Sequence, residues 1–434
     1  MRRFAPPLVW SAFLLFVASA VAQPLQLTPR HASGIYAAGE TVGWDVTLAP
    51  GATAPAEGFA WTVKENNFAP LKSGVLHPGA GAEAITVTLD HPAMVYLEIA
   101  PAEKGGKPMA AGAAVAPTQL RPVVPRPADF DAFWANQIEE LEKIPVEAEL
   151  TPGDSGKPGV EYATIRMNNI RGAHIYGQIA KPAGEGKHPA MLILQWAGGP
   201  YPLQKSWVVD RAAEGWLALN IEPHDVPGDL PKEFYAALPT LIKHYTTIYN
   251  DDRDRSYFLR MYLGDYRAAE YLASRPDWDG KILVATGTSM GGQQSFAVSG
   301  LEPKITHMIV LVPAGADTLA ALHGRHESYP DWAVHDPKVA ATAPYFDTVN
   351  FASRIRAKCL VALGFIDNTS APAGVWTEFN EIKGPKEAVP LVDAKHNNLS
   401  TPAQLKPYTD RSAEWFAQLA RGEEPAVRAL PGAE

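Results

Sequence analysis

Residues 287–291 read Gly287-Thr288-Ser289-Met290-Gly291, a serine held between two glycines. The apolar run Ile282, Leu283, Val284, Ala285 precedes it, and a stretch of helical character follows from Gly292. This spacing predicts a sharp strand-to-helix turn. The glycines let the chain reverse without a Cβ crowding the hydroxyl, and the helix aims its amide dipoles at the same spot. A serine there can attack an acyl carbon, but only with a base in contact to take its proton. The apolar run ending at Val392 leads into Asp393-Ala394-Lys395-His396, and the run ending at Leu363 leads into Gly364-Phe365-Ile366-Asp367. His396 is the candidate base. Asp367 is the candidate acid that fixes the imidazole tautomer and stabilises its cation. Asp393 is its rival, but it lies in the same loop as His396.

The oxyanion formed in acyl transfer needs fixed donors. One candidate is the amide of Met290. The other is the amide of Ala197 or Gly198, in the loop Gln195-Trp196-Ala197-Gly198-Gly199. Trp196 is a candidate platform for a sugar ring, with core packing as its plainer role. Glu222 and His224, in Glu222-Pro223-His224-Asp225 after the apolar run 216–221, are candidate substrate contacts. Ligands of open α/β sheets sit at the carboxyl edge of the strands. No second cluster with metal-ligand spacing accompanies them, so a metal site is not expected.

Positioning these residues requires a sheet. Segments 162–167 and 174–180 flank Gly172 and predict an antiparallel hairpin. Short apolar runs follow at 190–194, 216–221, 282–285, 308–312, 360–363 and 388–392, separated by helical stretches such as 257–273. Continuous apolar runs alternating with helices predict a mostly parallel sheet covered on both faces. The elbow serine and the chain order Ser, Asp, His then specify the α/β-hydrolase fold over residues 128–422.

Upstream, residues 23–117 alternate polar and apolar positions with period two, as in Val42, Trp44, Val46, Leu48 and Phe59, Trp61, Val63. This predicts a small all-β, immunoglobulin-like sandwich with Trp44 and Trp61 facing inward. Pro122, Pro125 and Pro127 mark residues 118–127 as an extended, semi-rigid linker. A helix follows, carrying Phe130, Phe133, Trp134, Ile138 and Leu141 on one side. Residues 423–434 are rich in Ala, Glu and Pro and are expected to fray.

Residues 1–22 read as an export signal: Arg2 and Arg3, an apolar run, then Ala20-Val21-Ala22. The run is too short to span a bilayer, which needs ~20 residues. A periplasmic or extracellular protein is expected, by the general or the twin-arginine route. The 434-residue chain has a formal charge of −9, and loss of Arg2 and Arg3 takes it to −11 (−9 − 2). The absence of a basic patch argues against nucleic acid and anionic lipid as partners. Cys359 is the single cysteine, so no internal disulfide forms and stability must come from core burial.

Residues 125–420 resemble the acetylxylan esterase / cephalosporin C deacetylase family. The resemblance rests on Arg126-Pro127-Ala128-Asp129-Phe130-Asp131 with Phe133-Trp134, and on Pro276-Asp277-Trp278-Asp279-Gly280-Lys281. It also rests on Gly287-Thr288-Ser289-Met290-Gly291-Gly292 and on Gly384-Pro385-Lys386-Glu387. It implies deacetylation of sugar esters and short acyl esters without a cofactor, by Ser289, Asp367 and His396. The N-terminal sandwich resembles an extra domain that some bacterial members carry. Three features depart from the family pattern. Met290 stands where Gln is usual, Gln195-Trp196-Ala197 replaces a His-Gly-Tyr segment, and Asn397-Asn398 follow His396. The expected partner is a small-molecule or oligosaccharide ester; oligomeric state is left open. A serine peptidase of the same topology and a non-catalytic sugar-binding relative are the alternatives. The first would need residues that read peptide termini, and none stands out. The second is opposed by an intact Ser, Asp and His.

Overall fold

The computed structural model describes residues 24–79, 81–103 and 107–430; the expected export signal, residues 1–22, lies outside them. The first eight strands are β1 (Leu25–Pro29), β2 (Ile35–Tyr36), β3 (Thr41–Leu48), β4 (Phe59–Glu65), β5 (Ala69–Leu76), β6 (Glu83–Thr88), β7 (Ala93–Pro101) and β8 (Met109–Val115). They form two sheets, β1-β3-β6 and β2-β8-β7-β4-β5. Side chains of alternate residues meet between the sheets: Val42, Trp44, Val46, Phe59, Val63, Ile85, Leu97 and Ile99 are all buried. Trp44 is enclosed. Trp61 packs against the same core but stays half-buried, with the Lys72 ammonium 6.0 Å above its ring.

The proline-rich segment is not a free spacer. Leu120 is buried, and Asn380 Nδ2 donates to the carbonyls of Pro117 and Leu120 at 2.9 and 3.0 Å. The Val123 amide donates to Asp317 at 3.1 Å. Proline has no amide hydrogen to satisfy, so a proline-rich strip can lie against a protein surface as readily as it can span solvent.

Nine further strands form one sheet: β9 (Glu149–Gly153), β10 (Val160–Asn168), β11 (His174–Pro182), β12 (His188–Leu194), β13 (Leu217–Ile221), β14 (Trp278–Thr288), β15 (His307–Leu311), β16 (Lys358–Gly364) and β17 (Lys386–Leu391). Their order is β17-β16-β15-β14-β12-β13-β11-β10-β9. Neighbours from β17 through β13 run parallel, whereas β9, β10 and β11 are antiparallel additions. This is the α/β-hydrolase fold. β9 has no counterpart in the sequence reading, because all five of its residues are exposed and leave no apolar pattern.

The nine helices are α1 (Phe130–Glu142), α2 (Ser206–Ala213), α3 (Lys232–Leu241), α4 (Tyr257–Ser274), α5 (Met290–Leu301), α6 (Pro337–Thr342), α7 (Thr348–Ala352), α8 (Pro372–Glu381) and α9 (Pro402–Ala420) among the described residues. Leu192, Leu219, Ala285, Val310 and Val361 point to one face of the sheet and pack with α4, α5 and α8. Met191, Ala218, Val284, Ile309 and Leu360 point to the other and pack with α2 and α9. Burial on both faces is why these strands read as unbroken apolar runs. The aromatic side of α1 joins a further layer, where Trp134 donates to the Tyr345 carbonyl at 3.0 Å.

Residues 421–430, after α9, contact the body of the domain. Arg411, buried, makes a two-pronged ion pair with Glu387 at 2.7 Å and also donates to the Ala426 carbonyl. The Arg428 amide donates to Glu387, and Glu424 meets Lys358 at 2.7 Å. Most of these anchors are polar, and Leu430 adds an apolar contact with the core.

Candidate active site

Ser289 sits between the end of β14 and the start of α5, at φ 59° and ψ −120°. A positive φ is strained for a residue with a Cβ and persists where the surroundings enforce it. Here the Ser289 amide donates to the Leu311 carbonyl at 3.0 Å, and its carbonyl accepts from Gln293 and Ala314. The glycines act differently from the sequence expectation. A Cβ on Gly287 would lie 2.3 Å from the Gly291 carbonyl carbon, and one on Gly291 would lie 2.2 Å from the Leu194 carbonyl oxygen. They are required where α5 presses on β14 and β12, rather than to clear space at the hydroxyl.

His396, in the loop after β17, brings Nε2 within 2.8 Å of Ser289 Oγ. Its Nδ1 lies 2.7 Å from Asp367 Oδ2. A proton on Nδ1 donates to the carboxylate and leaves Nε2 to accept from the hydroxyl. Asp367 is 2% exposed, and its Oδ1 accepts the amides of Thr369 and Ser370 at 2.7 and 2.9 Å. Its four-residue turn therefore dictates where the carboxylate lies. The structure separates Asp367 from its rival: Asp393 instead offers its backbone carbonyl to Gln404.

Met290 opens α5, so its amide belongs to the first turn, where no intrahelical carbonyl is available. Its side chain is fully buried, with the Tyr245 and Tyr329 hydroxyls 3.0 and 3.3 Å from its sulfur. Ala197 and Gly198 lie in the loop after β12. Buried Gln294 ties that loop to the elbow, its Nε2 donating to the carbonyls of Gln195 at 2.8 Å and Met290 at 3.1 Å. Gln294 was not among the residues singled out from sequence. The available signal was an amide side chain at a position four residues beyond Met290 on a helix that is buried throughout.

Trp196 leans on Trp207, with ring centres 4.8 Å apart. The pair lines an open cleft of about 480 Å³ that also includes Gly287 and Thr288. Trp196 thus borders a cleft beside the elbow rather than the sheet core. Glu222 and His224 are both buried at the end of β13. Glu222 Oε2 accepts the amides of His224 and Val226 at 2.9 and 2.8 Å, building the turn that holds both residues. Burial, only partly offset by those amides, pushes the Glu222 carboxyl up to about 8. His224 Nδ1 is 2.7 Å from the Tyr257 hydroxyl, and burial lowers its imidazole to about 3, so the ring is neutral. Its ring centre is 4.8 Å from that of Tyr245, which in turn touches Met290. Glu222 and His224 therefore support the elbow's surroundings through a layer of tyrosines absent from the sequence reading. Among the described residues, no group of three or more His, Cys, Asp or Glu side chains could hold a metal ion.

This geometry can pass a proton from hydroxyl to imidazole beside two polarised loops. Comparison with known proteins places the chain in a family. The family model described as acetyl xylan esterase (AXE1) matches residues 118–418. Acetyl esterase Axe7A of Xylanibacter ruminicola is 28% identical over 370 residues, covering 83% of this chain and 84% of that protein. The acetyl xylan esterase from Paenibacillus sp. R4 superposes with a TM-score of 0.58 at 22% identity, over 70% of this chain and 98% of that one. Acetyl xylan esterase 1 from Thermoanaerobacterium sp. JW/SL YS485 gives 0.56 at 21% identity, over 70% and 97%. At these identities the superpositions speak for the fold, and the family match over most of the chain speaks for the chemistry. The chain belongs to the acetyl xylan esterase (AXE1) family and is a carboxylic ester hydrolase.

Proposed function

We propose that the chain removes acetyl groups from acetylated carbohydrate, such as xylan or xylooligosaccharides, through an acetyl-enzyme on Ser289. As Ser289 Oγ attacks the ester carbonyl, its proton passes to His396 Nε2, and Asp367 stabilises the resulting imidazolium. The oxyanion accepts from the amide of Met290 and from that of Ala197 or Gly198. Collapse breaks the bond to the sugar oxygen, which leaves with the proton from His396. Water then gives its proton to His396 and attacks the acetyl carbon. Acetate departs and Ser289 regains its proton. The observation that carries this reading is the continuous chain Ser289 Oγ to His396 to Asp367 at 2.8 and 2.7 Å.

Hydrolysis of 4-nitrophenyl acetate, acetylated xylooligosaccharides and peptide amides by wild type and Ser289→Ala tests it. The acetates should be cleaved, with a loss of ~10⁴–10⁶ in turnover on substitution. Peptide cleavage without ester cleavage would favour the peptidase, and no cleavage of any substrate the sugar-binding relative. Export is part of the same reading. The basic start and small-residue site at Ala20-Val21-Ala22 support a mature chain beginning at Gln23, which N-terminal sequencing of exported protein would test.

A further inference from the structure

The N-terminal sandwich touches the chain on both sides of Asp367. Phe365, two residues before the acid, packs under Gly112 of β8 and Gly34. A Cβ on Gly112 would stand 2.6 Å from Phe365 Cβ and 2.7 Å from its carbonyl oxygen. A Cβ on Gly34 would stand 3.1 Å from the Phe365 ring. Ile35, Met94 and Ala114 of the sandwich share one apolar cluster with Leu363 and Phe365, so the two cores are continuous at this seam. On the other side, Asn368 Oδ1 accepts from Asn67 Nδ2 at 2.7 Å.

Asn67 is placed by the tip of the β4–β5 hairpin. Asn66 and Asn67 both have positive φ, 48° and 51°, and the Phe68 amide closes the turn on Glu65 at 2.8 Å. Two successive left-handed residues make the tight turn that suits the twist of a hairpin, and asparagine tolerates that region. The tip is itself held: Asn66 Oδ1 accepts from the Met94 amide at 2.9 Å, and its carbonyl accepts from the His326 amide at 3.1 Å. Asn66, Asn67 and Tyr96 enclose a small cavity together with Phe365 and Asp367.

We infer that the sandwich is a positioning element of the active site. It clamps Phe365 and Asn368 and so sets the turn that presents Asp367 to His396, with Gly112 and Asn67 as its positioning residues. This rests on Asp367 being the acid of the reaction proposed above. The physical reason is economy of motion. The Asp367 carboxylate is oriented by the amides of Thr369 and Ser370, so a shift of the turn's stem is transmitted to the imidazole. A misplacement of about 1 Å at such a site is enough to lose ~10²-fold in rate.

Gly112→Ala places a methyl group against the Phe365 backbone, and Asn67→Gly removes the side-chain amide while keeping the left-handed turn. Each is measured in the full-length enzyme on 4-nitrophenyl acetate, with melting temperature as the check on folding. Gly112→Ala should lower kcat by about tenfold with KM little changed. The acid limb of its pH–rate profile should move to lower pH, because a displaced carboxylate stabilises the His396 cation less. Asn67→Gly should move both readouts the same way by about two- to threefold in kcat, and Asn67→Asp should restore most of the rate once the Asn368 amide turns to donate. Gly79→Ala, whose methyl would meet nothing within 4 Å, is the sandwich control and should change neither. Wild-type kcat and an unmoved acid limb in folded Gly112→Ala would overturn the inference. So would a rate loss that follows loss of folded protein while the acid limb stays put. Should Gly112→Ala not fold, an unchanged Asn67→Gly overturns it alone. Ser289→Ala and Asp367→Asn run alongside: loss of rate in both, with none in the sandwich variants, rejects only the clamp, whereas retained rate in both rejects the reading of the site itself.

Discussion

Two groups of buried polar side chains lie at the carboxyl edge of the same sheet, and they are built on opposite terms. In the Ser289–His396–Asp367 group, both carboxylate oxygens and both ring nitrogens have partners. In the Glu222–His224–Tyr201 group, Glu222 Oε1, His224 Nε2 and the Tyr201 hydroxyl are buried with no partner among the described residues. A buried carboxylate can stay charged when hydrogen bonds replace its lost water; one that lacks them takes up a proton instead. The second group, with Glu222 pushed up to about 8 and His224 down to about 3, is neutral near pH 6, and its His224 ring packs on Tyr245, which touches Met290.

The sharpest way to break this contrast is to unpair the first group. Asp367→Asn keeps the shape of the side chain but favours the wrong imidazole tautomer, and kcat should fall ~10⁴-fold in ester hydrolysis. Gln294→Ala should act less severely. It frees the loop bearing Ala197 and Gly198 from the elbow without deleting an oxyanion donor, so its loss should stay below the ~10²–10³ that removal of a donor brings. A kcat equal to wild type would separate that loop from the oxyanion site.

The second group should reveal itself in stability rather than rate. The folded-state pKa of Glu222 lies above its ordinary 4.5, so between about pH 4.5 and 8 the folded chain holds a proton that the unfolded chain has released. Stability should fall as pH rises through that window, by at most ~1.4 kcal/mol per pH unit. Glu222→Gln should flatten the decline in denaturant midpoints. His224 has the opposite slope. Its folded-state pKa is below the ordinary 6.5, so stability should fall as pH drops from about 6.5 towards 3, and His224→Gln should flatten that side. Unchanged slopes in both variants would show that these groups find hydrogen-bonding partners and that the contrast between the two clusters is false.

The residues of the proposed triad were legible because each stands just past the end of a strand, and the strands announce themselves as apolar runs covered on both faces. Ser289, Asp367 and His396 follow β14, β16 and β17 in that way. Elements with the opposite character left little trace: β9 has no buried residue, and the segment after α9 is held largely by polar contacts at Glu387, Glu424 and Arg428. Trp196 and the Glu222 turn lie in the loops after β12 and β13. What their side chains touch, Trp207 for one and Tyr257 for the other, involves residues on separate helices.

Local pattern alone thus determined the strand-to-helix turn at Ser289, the order of acid and base along the chain, and a two-part architecture with a β-rich N-terminal region. These follow from periodicity and from the backbone demands of glycine, which are properties of neighbours in sequence. Tertiary structure alone decided the contact of Asp367 with the His396 ring, the tie from Gln294 to both loops, and the meeting of Asn67 with Asn368. Asn67 and Asn368 are 301 positions apart, and a hydrogen bond across such a gap has no period. It exists only because two hydrophobic cores close against each other around Phe365 and bring the hairpin tip to the acid.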